Sequence, residues 1–193
     1  MPFSKIIIVS IVSALLVLTS CAPQLKRFYD GRYYIEDSIY ENKSLQFIIT
    51  YKRGWYLFTE EYEMDNATKA FAQSLHKRNQ ELLYAGATSD GLYGSRCIAA
   101  NFNFPVEQFA NNIRSANKND VQKEFGLTKT VIGEYAAYKW VYDQMGFRFV
   151  EYFFKINTCN IRIAFWTKME LFDNNIGTFE DIISTISQSG PSL

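Results

Sequence analysis

Four strand-like segments follow one another almost without interruption near the end of the chain. They run Leu127–Ile132, Glu134–Asp143, Phe147–Ile156 and Asn160–Lys168, and are separated only by Gly133, by Gln144-Met145-Gly146 and by Asn157-Thr158. Connections this short can only fold a strand back beside its predecessor, because a parallel pair needs a crossover of about a dozen residues or more. The segment therefore predicts an antiparallel meander. In its last strand Ile161, Ile163 and Phe165 alternate with Arg162, Ala164 and Trp166, which gives one apolar face and one mixed face. Sixteen Phe and thirteen Tyr raise the aromatic share to 17%, and such side chains pack well on a pleated surface.

The chain before the meander alternates strands and helices. Leu45–Tyr51 places Leu45, Phe47, Ile49 and Tyr51 on one face, and Lys52-Arg53-Gly54 reads as a turn that pairs Trp55–Thr59 back on it. A helix from about residue 66 to 80 has Asp65 or Asn66 as its cap, with Phe71 and Leu75 one turn apart. Residues 81–87 and 93–102 read as strands around Ser89-Asp90-Gly91. Pro105 opens a second helix in which Val106, Phe109, Ala110 and Ile113 form one stripe, and the polar residues from 117 to 123 form a loop. The capping-box pattern Thr178-Phe179-Glu180-Asp181 announces a terminal helix carrying Phe179, Ile182, Ile183 and Ile186. With no repeat or linker to divide it, residues 35–193 are expected to form one α+β domain, an α/β/α sandwich with a central, mostly antiparallel sheet and three main helices.

The amino terminus reads as an address. Lys5 precedes an apolar run from Ile6 to Leu18, shorter than the roughly 20 residues that span a bilayer. Leu18-Thr19-Ser20-Cys21 resembles the bacterial lipobox, in which the cysteine is acylated and becomes the new amino terminus. Residues 1–20 are then a lipoprotein signal peptide, residues 21–34 a lipidated tether, and Cys21 the anchor in a lipid bilayer. The alternative is an ordinary secretory peptide cut near Ser20, with Cys21 a free thiol. Residue 22 is Ala rather than Asp; in enteric-type lipoproteins Asp there retains the protein in the inner membrane, so the expected location is the outer membrane of a bacterial envelope, facing the periplasm.

A second resemblance concerns the domain. Gly54-Trp55 between the first strands, Ile132-Gly133-Glu134-Tyr135-Ala136 leading into a long meander, and a short closing helix resemble the PsbP-like superfamily over residues 35–188. Its members include extrinsic proteins of photosystem II and DcrB-like envelope lipoproteins. The resemblance implies a sandwich that binds or stabilises other proteins without catalysis, and it carries over no functional residue.

Candidate chemistry is sparse. Twenty basic and twenty acidic residues cancel, so the chain lacks the charge footprint of a nucleic-acid binder. His76 is the only histidine, which rules out zinc sites built on two or three imidazoles, and it reads as a solvated surface residue. The glycine-rich stretch from 86 to 94 lacks a phosphate-loop pattern. Glu60, Glu61, Glu63 and Asp65 offer oxygens to calcium but without EF-hand spacing, and equally suit a helix amino terminus. Cys97 and Cys159 are either one disulfide or two buried thiols. Trp55, Trp140 and Trp166, with Tyr135, Tyr138, Tyr142 and Tyr152, either pack the core or line a groove. The expectation is a non-enzymatic envelope lipoprotein without cofactor or metal, whose α+β domain binds a protein partner and assists an envelope complex. The alternative is a periplasmic small-molecule or glycan binder with an aromatic-lined pocket.

Overall fold

The computed structural model describes residues 30–189. In chain order its elements are β1 (Gly31–Tyr34), β2 (Ile39–Asn42), β3 (Phe47–Thr50), β4 (Trp55–Phe58), α1 (Asn66–His76), β5 (Gln80–Thr88), β6 (Tyr93–Ala100) and α2 (Val106–Ala116). Then follow β7 (Lys123–Ile132), β8 (Tyr135–Gln144), β9 (Phe147–Ile156), β10 (Cys159–Lys168), α3 (Met169–Ser184) and the short β11 (Ser187–Gln188). Every strand pair is antiparallel, in two sheets ordered β1-β2-β3-β11 and β4-β5-β6-β10-β9-β8-β7. The fold class is α+β. The meander forms as expected, with turn residues Met145 (φ 52), Gly146 (φ 82) and Asn157 (φ 53) in the left-handed region that its tight reversals demand.

The layers follow from strand alternation. Residues of β6 and β10 that point one way, Cys97, Ala99, Ile161, Ile163 and Phe165, enter the main core with α3 and the small sheet. Those that point the other way meet α1 through Leu75, Leu82 and Ile98, and α2 through Ala100, Phe109, Ala110, Trp140, Tyr142 and Phe153. The large sheet is thus covered by α1 and α2 on one face, and by α3 beside a second sheet on the other. Each fully buried large apolar side chain contributes about 1.5–3 kcal/mol, so the main core, which joins both sheets, is the dominant stabilising feature.

Three local expectations need correction. Leu45, Phe47, Ile49 and Tyr51 are all buried, as alternation predicts, but Trp55–Phe58 does not pair back on that strand. Lys52-Arg53-Gly54 is a crossover between sheets: β4 pairs with β5, while β3 pairs with β2 and β11. Gly54 at φ 91 turns the chain there, and its carbonyl accepts a hydrogen bond from Ser89 N at 2.9 Å. The terminal helix begins nine residues before Thr178, at Met169, with Lys168 as a cap residue that makes no side-chain bond. Burial of Phe172 extends the apolar stripe toward β10, and that packing replaces a capping side chain. Finally, β1 lies ahead of residue 35, inside the stretch expected to be tether, and its pairing with β2 makes it part of the small sheet. Cys21 lies outside the described residues. No helix among the described residues is long and apolar enough to cross a membrane.

Candidate functional site

On the α1/α2 face, register brings three rings side by side. Tyr142 of β8 stands opposite Phe149 of β9, which stands opposite Trp166 of β10, and Trp166 in turn faces Gly94 of β6. The rings stack across the strands, with centroids 5.1 Å apart at 4° between Tyr142 and Phe149, and 5.6 Å at 29° between Phe149 and Trp166. Trp140, two residues before Tyr142, continues the row at 3.9 Å and 27°.

The next register row holds charge. Trp140, Glu151, Ala164 and Arg96 lie opposite one another in succession. Ala164 is the small residue in that row, and over it the Arg96 Nη2 reaches Glu151 Oε1 at 3.4 Å. Arg162, one strand over and two residues away along it, donates from Nε to Glu151 Oε2 and from Nη2 to Oε1, both at 2.6 Å. The Tyr142 hydroxyl donates to Oε1 at 2.8 Å. Glu151 is 0% exposed. Burial is the largest single influence on its carboxyl and pushes its pKa upward, but the Arg162 charge and hydrogen bonds, the Arg96 charge and the Tyr142 bond together hold it below the usual carboxylate range. The same site pushes the Tyr142 phenol upward, first through burial and then through the Glu151 charge.

Two guanidiniums therefore share one carboxylate. Arg162 holds Glu151 through two short bonds, whereas Arg96 has only its 3.4 Å bond, and its buried Nε has no hydrogen-bond partner among the described residues. Its guanidinium carbon sits 5.2 Å from the Phe71 ring centroid on α1 and 5.7 Å from that of Trp166, and its side chain is 23% exposed. Burial and the neighbouring Arg162 charge lower its pKa. These are the marks of a surplus positive charge held at the rim of an apolar layer.

At the other end of the ring row, Trp140 Nε1 donates to Glu124 Oε1 at 2.7 Å, and Arg114 Nε of α2 donates to the same oxygen at 2.6 Å. An open concavity of about 410 Å³ adjoins them, lined by Arg114, Lys118, Lys123, Glu124 and Trp140. A second concavity of about 230 Å³ lies beside α1, with Glu60, Glu61, Lys69, His76 and Glu81 in its wall. Neither is an aromatic-lined pocket: Trp140 is the one aromatic residue in the wall of the first, and Tyr142 and Trp166 stack on Phe149 instead of surrounding a space. Trp55 and Tyr152 belong to the opposite core against Phe165, Tyr135 packs on Phe154, and Tyr138 bonds Glu107 of α2 at 2.8 Å.

The acidic loop is occupied with local structure. Glu63 Oε2 accepts from the backbone nitrogens of Thr59 and Glu60, both at 2.9 Å, and Asp65 caps α1 by accepting from Thr68 N at 2.7 Å. The disulfide reading of the cysteines is corrected. Cys97 and Cys159 are both buried and form no disulfide, and Cys97 stands opposite Ile163, four residues along β10 from Cys159. Four strand residues span about 13 Å, well beyond the roughly 4.4–6.8 Å that a disulfide allows between Cα atoms.

A separate feature appears where the β5–β6 and β8–β9 turns meet the β10–α3 junction. Leu92, Phe125, Met145, Phe147 and Met169 are all exposed there, Met145 to 81%. Register ties them together: Phe147 faces Lys168, which precedes Met169; Thr167 Oγ1 donates to Leu92 O at 2.9 Å; and the Arg148 guanidinium lies 4.3 Å from the Phe125 centroid. Arg148 is itself fixed by Asp143 at 2.7 Å.

No family model matches the chain, and no curated protein matches it. Among solved structures it is similar to cyanobacterial PsbP (CyanoP) from Synechocystis sp. PCC 6803, at 11% identity and a TM-score of 0.48, over 89% of this chain and 99% of that one. It is also similar to a protein from Bacteroides thetaiotaomicron VPI-5482, at 11% identity and a TM-score of 0.43, over 74% of this chain and 45% of that one.

Proposed function

We propose that this chain is a non-catalytic envelope lipoprotein. Cys21 carries the lipid anchor, and the α+β domain binds a protein partner through the turn end of its large sheet, assisting assembly or stability of an envelope complex at the periplasmic side of the outer membrane. The observation that carries the reading is the group of five exposed large apolar side chains, Leu92, Phe125, Met145, Phe147 and Met169, gathered at one end of the sheet. Contiguous exposed apolar surface with a polar rim is the usual mark of a protein contact, and Lys123, Arg148 and Lys168 supply such a rim here. The buried groups support a structural rather than catalytic role: Glu151 accepts from three side chains, Arg96, Tyr142 and Arg162, and is kept ionised, and burial raises the Cys97 thiol far out of the reactive range.

The test uses the full chain in native membranes, with a photocrosslinking residue placed at Met145 and, as control, at Thr158 at the opposite end of the sheet. A discrete protein adduct from position 145 and none from 158 is expected. No adduct, or equal adducts from both, overturns the binding surface. Metabolic labelling with palmitate, lost in Cys21→Ser, tests the anchor separately.

A further inference from the structure

We propose that Arg96 is the receiving group of a carboxylate-binding site on the α1/α2 face. Arg96 and Arg162 set two guanidiniums against the one carboxylate of Glu151, whose oxygens already accept both Arg162 donors and the Tyr142 hydroxyl. One positive charge is left over in a layer of stacked rings, where an uncompensated charge is costly and an incoming monoanion is correspondingly stabilised.

Geometry assigns that surplus to Arg96. Arg162 is almost fully buried and holds Glu151 through two short bonds, while Arg96 reaches it by a single bond of 3.4 Å and remains 23% exposed. The rings of Phe71 and Trp166 hold the guanidinium in position, but contact with a ring face satisfies no N–H. A planar fork of donors, already oriented and short of acceptors, matches a carboxylate. One negative charge balances the cluster, whereas a phosphate dianion would overcompensate it.

The ligand chemistry is thus a carboxylate, supplied either by a small organic acid or by an acidic side chain of a bound protein. The inference does not rest on the turn-end surface, so a failed crosslink from Met145 leaves it standing.

The full chain in non-ionic detergent is titrated at constant ionic strength with sodium acetate, with N-acetyl-glutamate amide and with sodium phosphate. The readouts are the Arg96 Nε–Hε resonance and tryptophan fluorescence. A saturable shift at Arg96 with a carboxylate probe is expected. Response to both carboxylates indicates a site open to small acids, and response to the glutamate amide alone indicates a protein side chain. Arg96→Gln, which leaves the balanced Arg162–Glu151 pair, should weaken the fluorescence response about tenfold or more, and Arg96→Lys should restore only part of it. A non-saturating drift shared by other arginines overturns the site, as does an unchanged response in a folded Arg96→Gln. A response to phosphate in preference to both carboxylates overturns the ligand class.

Discussion

The indole of Trp166 occupies the space that a Cβ would take on Gly94, its register partner across β10 and β6. A Cβ at residue 94 would overlap the indole Cε2, Cζ2 and Nε1 atoms, so the absence of a side chain there is what lets Trp166 lean over β6 and meet both Phe149 and Arg96. Gly94→Ala is expected to push the indole aside and lower stability by about 1–3 kcal/mol, the usual cost of forcing bulk into a packed site. Urea unfolding should show a lower midpoint at unchanged slope. An unchanged midpoint would mean that the ring row is not the packing element described.

Glu151 should be the most sensitive polar residue of the large sheet. Glu151→Gln leaves Arg162 and Arg96 without a counter-charge, and breaking a buried pair in this way costs about 3–5 kcal/mol. The pH dependence has a definite sign. Because the folded carboxyl lies below its ordinary pKa, its contribution is complete above the unfolded value of about 4.3, and it is lost as pH falls through the lower folded value. Urea midpoints measured from neutral pH into the acid range should fall steeply below that point for the native sequence. The Gln variant should start lower and fall less. Parallel curves would contradict this linkage.

How much of this was legible in the sequence differs from one part to another. Alternation and short turns disclosed the meander and the buried faces of β3 and β10, because a period of two and a two-residue connection leave few geometries open. Pairing partners were less visible: nothing in Lys52-Arg53-Gly54 distinguishes a hairpin turn from a crossover, and the choice is made by the distant β11 and β5. The aromatic residues were conspicuous, yet their division between two faces depends on register across strands. The Arg96–Glu151–Arg162 cluster depends on the same cross-strand register, although Glu151 and Arg162 each interrupt an apolar strand with a charge of opposite sign on the two sides of the Asn157-Thr158 turn. That pattern was the available signal for a cross-strand pair.

Gly177 offers a change in the opposite direction. It lies inside α3, and a Cβ added there would meet nothing within 4 Å. Glycine in a helix interior costs about 0.8–1 kcal/mol relative to alanine, so Gly177→Ala should stabilise the domain by roughly that amount and raise the thermal midpoint by a few degrees. A loss of stability would show that the α3 backbone at this point is not in an ordinary helical conformation.

Thiol counting joins the core to the amino terminus. Cys97 is wholly buried, and burial drives its thiol upward against a weaker opposing hydrogen bond from Tyr84; Cys159 is buried as well. Neither should react readily with an aqueous alkylating reagent while the protein is folded, since the thiolate is the reacting species and access is closed. If Cys21, the third cysteine of the chain, carries the proposed thioether to lipid, the processed protein unfolded in urea without reductant should take up alkyl groups on Cys97 and Cys159 alone. Mass spectrometry separates the outcomes. Modification of Cys21 would refute the acylation, while failure of both Cys97 and Cys159 to react without reductant would refute the strand register that keeps them apart.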